Sequence, residues 1–462
     1  MLCLKKILKN SRRQSLQKLH EVSALIKCSL ILIQAYVANF KISKSFVERF
    51  LFKPTYADAK VHFSNLMKML IPERMEMVIT TVCKFLKREQ LWKVECICCE
   101  IFDTLMYSQA PPEIIVEHIL GYIEEMILAE NIEESRLAVR VLCAIVRDEH
   151  FVRMPASGLT VFLTLYHASV EIEDTMLFLI RTGFETVLVK ILKAMKVEEV
   201  SKLLQIFLEL ALDSHFSKTA CKDFGMTVCE GVSRLKVNRI HENLQPKIIE
   251  LLLETMSDAC EIKSFLATRL LTLLMDHYDN FSNFSSPIIF YEFTNYEIKV
   301  APAEDKEAIE LLEKYQEFFE ASIFLMIKTH CAKRDNLRAV YSLMCIIIVS
   351  SPCGFTITFI ASILLKIQGF LTTEAQEFNQ IQVNHLHALI ASLMTLICLV
   401  TRASSLTKYV HKVINLRYDF AAHLNPPLTD SYQYTERHGH FVRPELFFDS
   451  WELRYYIFVG DI

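Results

Sequence analysis

Apolar residues recur along most of this chain at intervals of three and four. In PERMEMVITTVCKFLKRE, which begins at Pro72, the apolar positions Met75, Val78, Ile79, Val82 and Leu86 fall on one helical face. Forty residues later PEIIVEHILGYIEEMILAE begins at Pro112 and repeats the pattern at Ile115, Ile119, Tyr122, Ile123 and Met126. Each stretch is followed by a short polar break and a second amphipathic stretch, LWKVECICCEIFDTLMYS and NIEESRLAVRVLCAIVRDE. The period is about 3.6 residues, that of a helix, and not about 2, that of a strand. Pro followed by Glu suits a helix start. Proline gives up no hydrogen bond in the first turn, and an acid is favoured at the positive end of the helix dipole.

The unit recurs. Helix pairs are predicted to start near residues 72, 112, 157, 197 and 242, a spacing of 40 to 45. LLQIFLELALDS (203–214) and PKIIELLLETMSD (246–258) occupy like places in successive units. A single pair cannot bury its apolar face alone, so pairs of this kind stack into a continuous core. A period of about 40–47 residues with two or three helices per unit marks HEAT and armadillo arrays. The chain resembles an armadillo/HEAT-type α-solenoid over residues 58–277, and again over 306–420. The fold expected is all-α, a superhelix of stacked helix pairs. Residues 1–57 are read as a basic N-terminal helix with capping helices.

Two segments depart from the pattern. Residues 278–305, YDNFSNFSSPIIFYEFTNYEIKVAPAED, are rich in helix breakers yet crowd together Phe281, Phe284, Phe290, Tyr291, Phe293 and Tyr296. A long connection of this kind is functional or disordered, and disordered segments are poor in aromatics. Two readings stand: a partner-binding loop, or an insertion folded back over the helices. The tail, 421–462, is polar and turn-rich at first and then ends in RPELFFDSWELRYYIFVGDI. So apolar an end docks on the last helices or on a partner.

Between Arg338 and Lys366 the chain carries 27 residues without a formal charge. Pro352 and Gly354 divide them into stretches 337–350 and 355–366, and the next apolar run, 387–400, is as short. A membrane-spanning helix needs about 20 apolar residues in a row. The expectation is a hairpin of core helices, with Ile347 and Leu364 buried, the turn at Pro352 facing water, and no integral membrane insertion.

Composition agrees with helices. The chain is 52% hydrophobic and has only 9 Gly and 12 Pro, too few to punctuate many hairpins. Lys and Arg number 50 against 54 Asp and Glu, so no basic excess supports nucleic-acid binding. The 14 cysteines are scattered through apolar helical patterns, as at Cys83, Cys143, Cys229 and Cys345, which reads as reduced thiols in an intracellular protein. A mean hydropathy of +0.27 keeps a membrane-associated protein as an alternative. The first acid is Glu21, after Lys5, Lys6, Lys9, Arg12, Arg13 and Lys18. That pattern fits a solvated first helix, with mitochondrial targeting as the lesser alternative.

No glycine-rich phosphate loop, nucleophile elbow, HExxH or EF-hand pattern is present. Cys96 and Cys99 form one C-x-x-C without the second pair a structural zinc site needs, and are read as core residues beside Phe102 and Met106. His438 and His440, with Glu436, are read as a polar loop, and His385 and His387 as ordinary helix residues. No cofactor, metal or small-molecule substrate is expected, and no enzymatic activity. The function expected is that of an intracellular, cytoplasmic or nuclear, protein-interaction scaffold. Its candidate contact residues are Arg136, Arg140 and Arg147 at helical spacing, and Phe290, Tyr291 and Phe293 in the aromatic segment. A solenoid bound to nucleic acid or chromosomes is the other alternative.

Overall fold

The computed structural model describes residues 23–24, 26–31, 46–146, 175–194, 197–212, 218–234, 246–302, 306–373, 378–432 and 443–458. Among these residues every regular element is a helix. The chain forms two compact units, Met1–Lys196 and Val197–Ile462. Their boundary coincides with the helix-pair start that the periodicity predicts at 197.

In the first unit the helices are α1 (Phe46–Arg88), α2 (Glu95–Tyr107), α3 (Pro112–Leu128), α4 (Ile132–Ile145) and α5 (Thr175–Ala194). The start expected at Pro72 is a kink inside α1, where Arg74 leaves helical geometry at φ −142° and ψ 32°. The helix expected over 91–107 is split: Leu91–Lys93 is a 3-10 turn, after Gln90 adopts a left-handed φ of 51°. Helix α1 packs on α3 and α2 on α4. Their shared core is built from the predicted positions, with Val78, Ile79, Val82, Leu86, Ile115, Ile119 and Ile123 fully buried. Trp92 stacks on Tyr122 at 4.7 Å between ring centroids. Asn131 caps α4 by accepting the Glu134 N–H.

Helices α4 and α5 approach closely at Gly183. A Cβ there would lie 2.3 Å from Val139 Cγ1. Lys190 of α5 donates to the Cys143 and Val146 carbonyls at 2.9 and 3.1 Å. A cation thus satisfies the carbonyls left open at the negative end of α4. The pair start expected at 157 lies outside the described residues.

The second unit contains α6 (Val197–Leu212), α7 (Lys218–Arg234), α8 (Pro246–Met256), α9 (Glu261–Met275), α10 (Lys306–Lys314), α11 (Gln316–His330), α12 (Arg334–Ser350), α13 (Gly354–Thr373), α14 (Gln380–Thr401), α15 (Ser404–Phe420) and α16 (Ser450–Phe458). Helices α6, α8, α11 and α13 stack in one layer, and α7, α9, α12 and α14 in the other. Each pair bridges the two layers, as the repeat logic requires. An Asn379–Gln382 capping box opens α14.

The uncharged run divides as expected into α12 and α13, and Ile347 and Leu364 are fully buried. The turn between them is less open than expected. Pro352 is half-buried, and Ser351 is buried, its hydroxyl accepting the Thr356 hydroxyl at 3.2 Å. Helices α13 and α14 run to 20 and 22 residues, longer than their apolar stretches, and are long and apolar enough to cross a membrane. Of the most apolar 18-residue window, 89% is buried inside the fold in α14 and 56% in α13. Packing of α14 against α12, α13 and α15 accounts for its apolar character.

Candidate interaction surfaces

The aromatic segment folds back on the second unit. Asp276, at the end of α9, accepts the backbone N–H groups of Asn280 and Phe281 and starts the 3-10 turn Phe281–Phe284. Asn280 is buried and ties the two ends of the segment together, donating to the Lys299 carbonyl and accepting its N–H. In the middle, the hydroxyl of Ser392 on α14 bonds both the N–H and the carbonyl of Ile288. Thr395 accepts the Phe290 N–H at 3.1 Å. The segment therefore runs along α14, with its backbone polar groups paired to helix hydroxyls.

This docking separates residues of like composition. Phe290 is 1% exposed and packs edge-on to Phe284 and Tyr296. It is a core residue, and not the exposed contact the sequence suggested. Phe293 is 86% exposed. Tyr291 lies half-buried between them, stacked on Phe293 at 5.1 Å and on His411 of α15 at 5.4 Å. Tyr418 of α15 is hydrogen-bonded to Tyr291, and burial together with that bond pushes its phenol up to about 12. Burial holds His411 below its ordinary value, opposed by the nearby Glu292 carboxylate. Glu292 also accepts a bond from Thr407. The Tyr296 hydroxyl accepts the Tyr291 N–H at 3.1 Å, which fixes the backbone just before Phe293. The result is an aromatic patch of Tyr291, Phe293, His411 and Tyr418 on a backbone held from within.

The arginines of the first unit are differently placed. Arg136 pairs with Glu133 at 2.7 Å within α4, and Arg140 pairs with Glu95 of α2 at 2.8 Å. Their charges are neutralised locally, so they do not stand as a free basic stripe. Arg147 lies outside the described residues, as do Glu436, His438, His440 and the basic residues from Lys5 to Lys18.

The other candidate chemistry resolves into packing. Of the cysteine cluster, the buried member is Cys98, whose Sγ donates to the Leu91 carbonyl at 3.2 Å. Cys96 and Cys99 are only half-buried. Burial raises the Cys98 thiol far above its usual range. Among the described residues no group of His, Cys, Asp or Glu is arranged to hold a metal ion.

A buried polar cluster went unread in the sequence. Arg417 of α15 is fully buried and makes no ion pair with a described residue. It donates to the carbonyls of Leu446, His387 and Leu424 and lies 5.1 Å over the Phe448 ring. Burial lowers its guanidinium to about 9. Gln368 of α13 exchanges two bonds with the Phe448 backbone at 2.8 and 2.9 Å. These groups fasten residues 446–448, and with them the aromatic C-terminal segment, onto the last helices. No spacing signal marks Arg417, because its partners lie elsewhere in the chain.

No curated protein and no solved structure matches the chain. A family model does, and it settles the type of repeat that spacing left open between armadillo and HEAT. Over residues 53–454, nearly the whole length, the chain matches the model described as EFR3, armadillo repeat, and it belongs to that family.

Proposed function

We propose that this chain is a non-enzymatic, intracellular scaffold that binds a protein partner through the aromatic patch of its second unit. The observation that carries the reading is Phe293, an almost fully exposed aromatic on a backbone pinned by Tyr296. Large aromatics held rigidly at the surface are the residues on which interface energy concentrates, since little conformational entropy is lost when they dock. Tyr291, His411 and Tyr418 supply a flat apolar surround with polar tips. An armadillo-repeat fold fits a role of this kind. The described cysteines, all free thiols, support a reducing compartment.

The membrane alternative has the length and apolar character of α13 and α14 behind it. The burial of α14 supports a core role over a bilayer one, and the pairing of Arg136 and Arg140 with carboxylates leaves little there for a phosphate backbone.

The test compares proteins retained by the tagged wild-type chain and by a Tyr291→Ala, Phe293→Ala variant, using quantitative mass spectrometry. Loss of a hot-spot pair weakens binding by about 30-fold or more, so a partner retained by the wild type is expected to disappear. An unchanged partner set with a folded variant rules the patch out.

A further inference from the structure

A second feature of the same unit is a pocket of apolar wall and charged side chains where α9, the 3-10 turn Phe281–Phe284 and α12 meet. Its volume is about 360 Å³. Arg269 enters from α9 and Arg338 from α12, with Phe281, Ser282 and Ser285 on the turn side and Asp335 also in the lining. The Arg269 guanidinium lies 5.0 Å over the Phe281 ring and so rests against one wall.

The two arginines differ from the paired cations among the described residues. Lys87, Arg136, Arg140, Lys247, Lys333, Arg334 and Lys366 each pair with a carboxylate. Neither Arg269 nor Arg338 makes an ion pair or a side-chain hydrogen bond with any described residue. In both, the Nε atom is buried and has no acceptor. The same holds for Nε of Arg136 and Arg181, but in Arg269 and Arg338 the Nη groups also lack an acceptor among the described residues and are not sealed from solvent, so they are the donors open to an anion from outside. Asp276, at the end of α9, is already spent on the N–H groups of Asn280 and Phe281.

From this arrangement we infer that the pocket binds the phosphoryl group of a phosphorylated serine or threonine on a protein partner. A phosphoester carries a charge of about −1.5 to −2 and three strong acceptor oxygens, which two guanidinium forks match in charge and in donor number. A carboxylate would leave one fork unmatched. The hydroxyls of Ser282 and Ser285 are exposed at the mouth, where they can donate to a remaining oxygen. The volume holds a phosphoryl group with the short side chain that carries it. A membrane headgroup is a poorer match: the lining includes the exposed Asp335 and no lysine, so the positive charge is recessed and not spread over a face.

This inference rests on the scaffold reading and names the chemistry of a partner. The test uses the full-length chain and two immobilised random peptide libraries, identical except that the central serine is phosphorylated in one. Vesicles of phosphatidylcholine with phosphatidylserine and a phosphoinositide form a third arm. Retention on the phosphorylated library at least about tenfold above its twin is expected, with Arg338→Gln and Arg269→Gln each removing most of the difference. Arg338→Lys, which keeps the charge and loses the fork, is expected to recover little. Thermal melting checks that each variant is folded, and Arg338→Lys keeps the test open should Arg269→Gln unfold. Phe293→Ala leaves the pocket intact, so loss of the aromatic patch and loss of the pocket are read separately. Equal retention on both libraries, no retention on either, folded glutamine variants that bind like the wild type, or binding to the vesicles in place of the peptides would each overturn the assignment.

Discussion

The two arginines of α4 in the first unit and three arginines of the second sit in opposite surroundings. In the first, Arg136 and Arg140 lie at helical spacing on α4, and each meets a glutamate, Glu133 and Glu95, on or next to the same helix layer. In the second, Arg417 is fully buried and is held by three backbone carbonyls with no carboxylate, while Arg269 and Arg338 share a pocket with none bound. A paired surface arginine is nearly neutral in its effect on stability. A buried one without a counter-ion has lost its hydration, and only the geometry of its acceptors compensates. The comparison teaches that the arginines with the most structural consequence are those the local pattern does not single out.

The largest expected effect breaks the buried side of this contrast. Arg417→Met keeps the side-chain volume but removes the donors to Leu446, Leu424 and His387. The carbonyls of Leu446 and Leu424 then stay buried without a partner, while His387 lies within α14 and retains its helix bond. Relief from burying a cation offsets part of that loss. The net expectation is a destabilisation of about 3 kcal/mol, concentrated in residues 446–448. Hydrogen exchange at those amides, together with thermal unfolding, reads both quantities. Unchanged protection would mean that the packing of Leu446 and Phe448 alone anchors the segment.

A smaller effect concerns the imidazole beside that guanidinium. Burial holds His387 well below its ordinary value near 6.5, and Arg417 and His423 add to the depression. The folded chain therefore keeps His387 neutral at a pH where the unfolded chain binds a proton. Stability from this source is complete above about pH 6.5 and is lost as the pH falls below it, by up to about 1.4 kcal/mol per pH unit. Unfolding followed from about pH 7.5 to about pH 5.5 is expected to show that slope, and His387→Gln to flatten it. A slope that persists in the variant would place the titration elsewhere.

How much of this was legible depends on the range of the contacts concerned. The helix pairs were, because a face that repeats at Val78, Val82 and Leu86 is a local property, and the hairpin around Pro352 was for the same reason. The docking of the C-terminal segment followed from its apolar composition. Phe290 and Phe293 show where such reasoning stops. They are three residues apart in one aromatic run, and one is core while the other is surface. The choice is made by Thr395, more than a hundred residues away, which takes the Phe290 N–H. In Cys96–Cys99 the shift is smaller. Cys98 takes the buried position in place of its neighbours, its Sγ bonded to the Leu91 carbonyl of the preceding 3-10 turn. Arg417 illustrates the extreme, since INLRYDF reads as a solvated helix face and its burial depends on carbonyls from three other segments.

The smallest effect sharpens the comparison from the exposed side. Arg140 and Glu95 are 60% and 41% exposed at their side chains, and their 2.8 Å contact joins α4 to α2. Water competes for both ends, and holding two long side chains in one geometry costs entropy. Arg140→Ala is therefore expected to change stability by no more than about 0.5 kcal/mol, and a double-mutant cycle with Glu95→Ala to return a coupling in the same range. Raising the salt concentration to about 1 M shortens the screening length to about 3 Å and should abolish that coupling, whereas the Arg417→Met effect, sealed from solvent, should persist. The salt dependence is the cleaner reading of the two, because it compares the arginines by their access to water and not by the volume each mutation removes. A coupling at Arg140 as large and as salt-resistant as the Arg417 effect would show that the first unit also depends on its arginines, and the contrast between the units would fail.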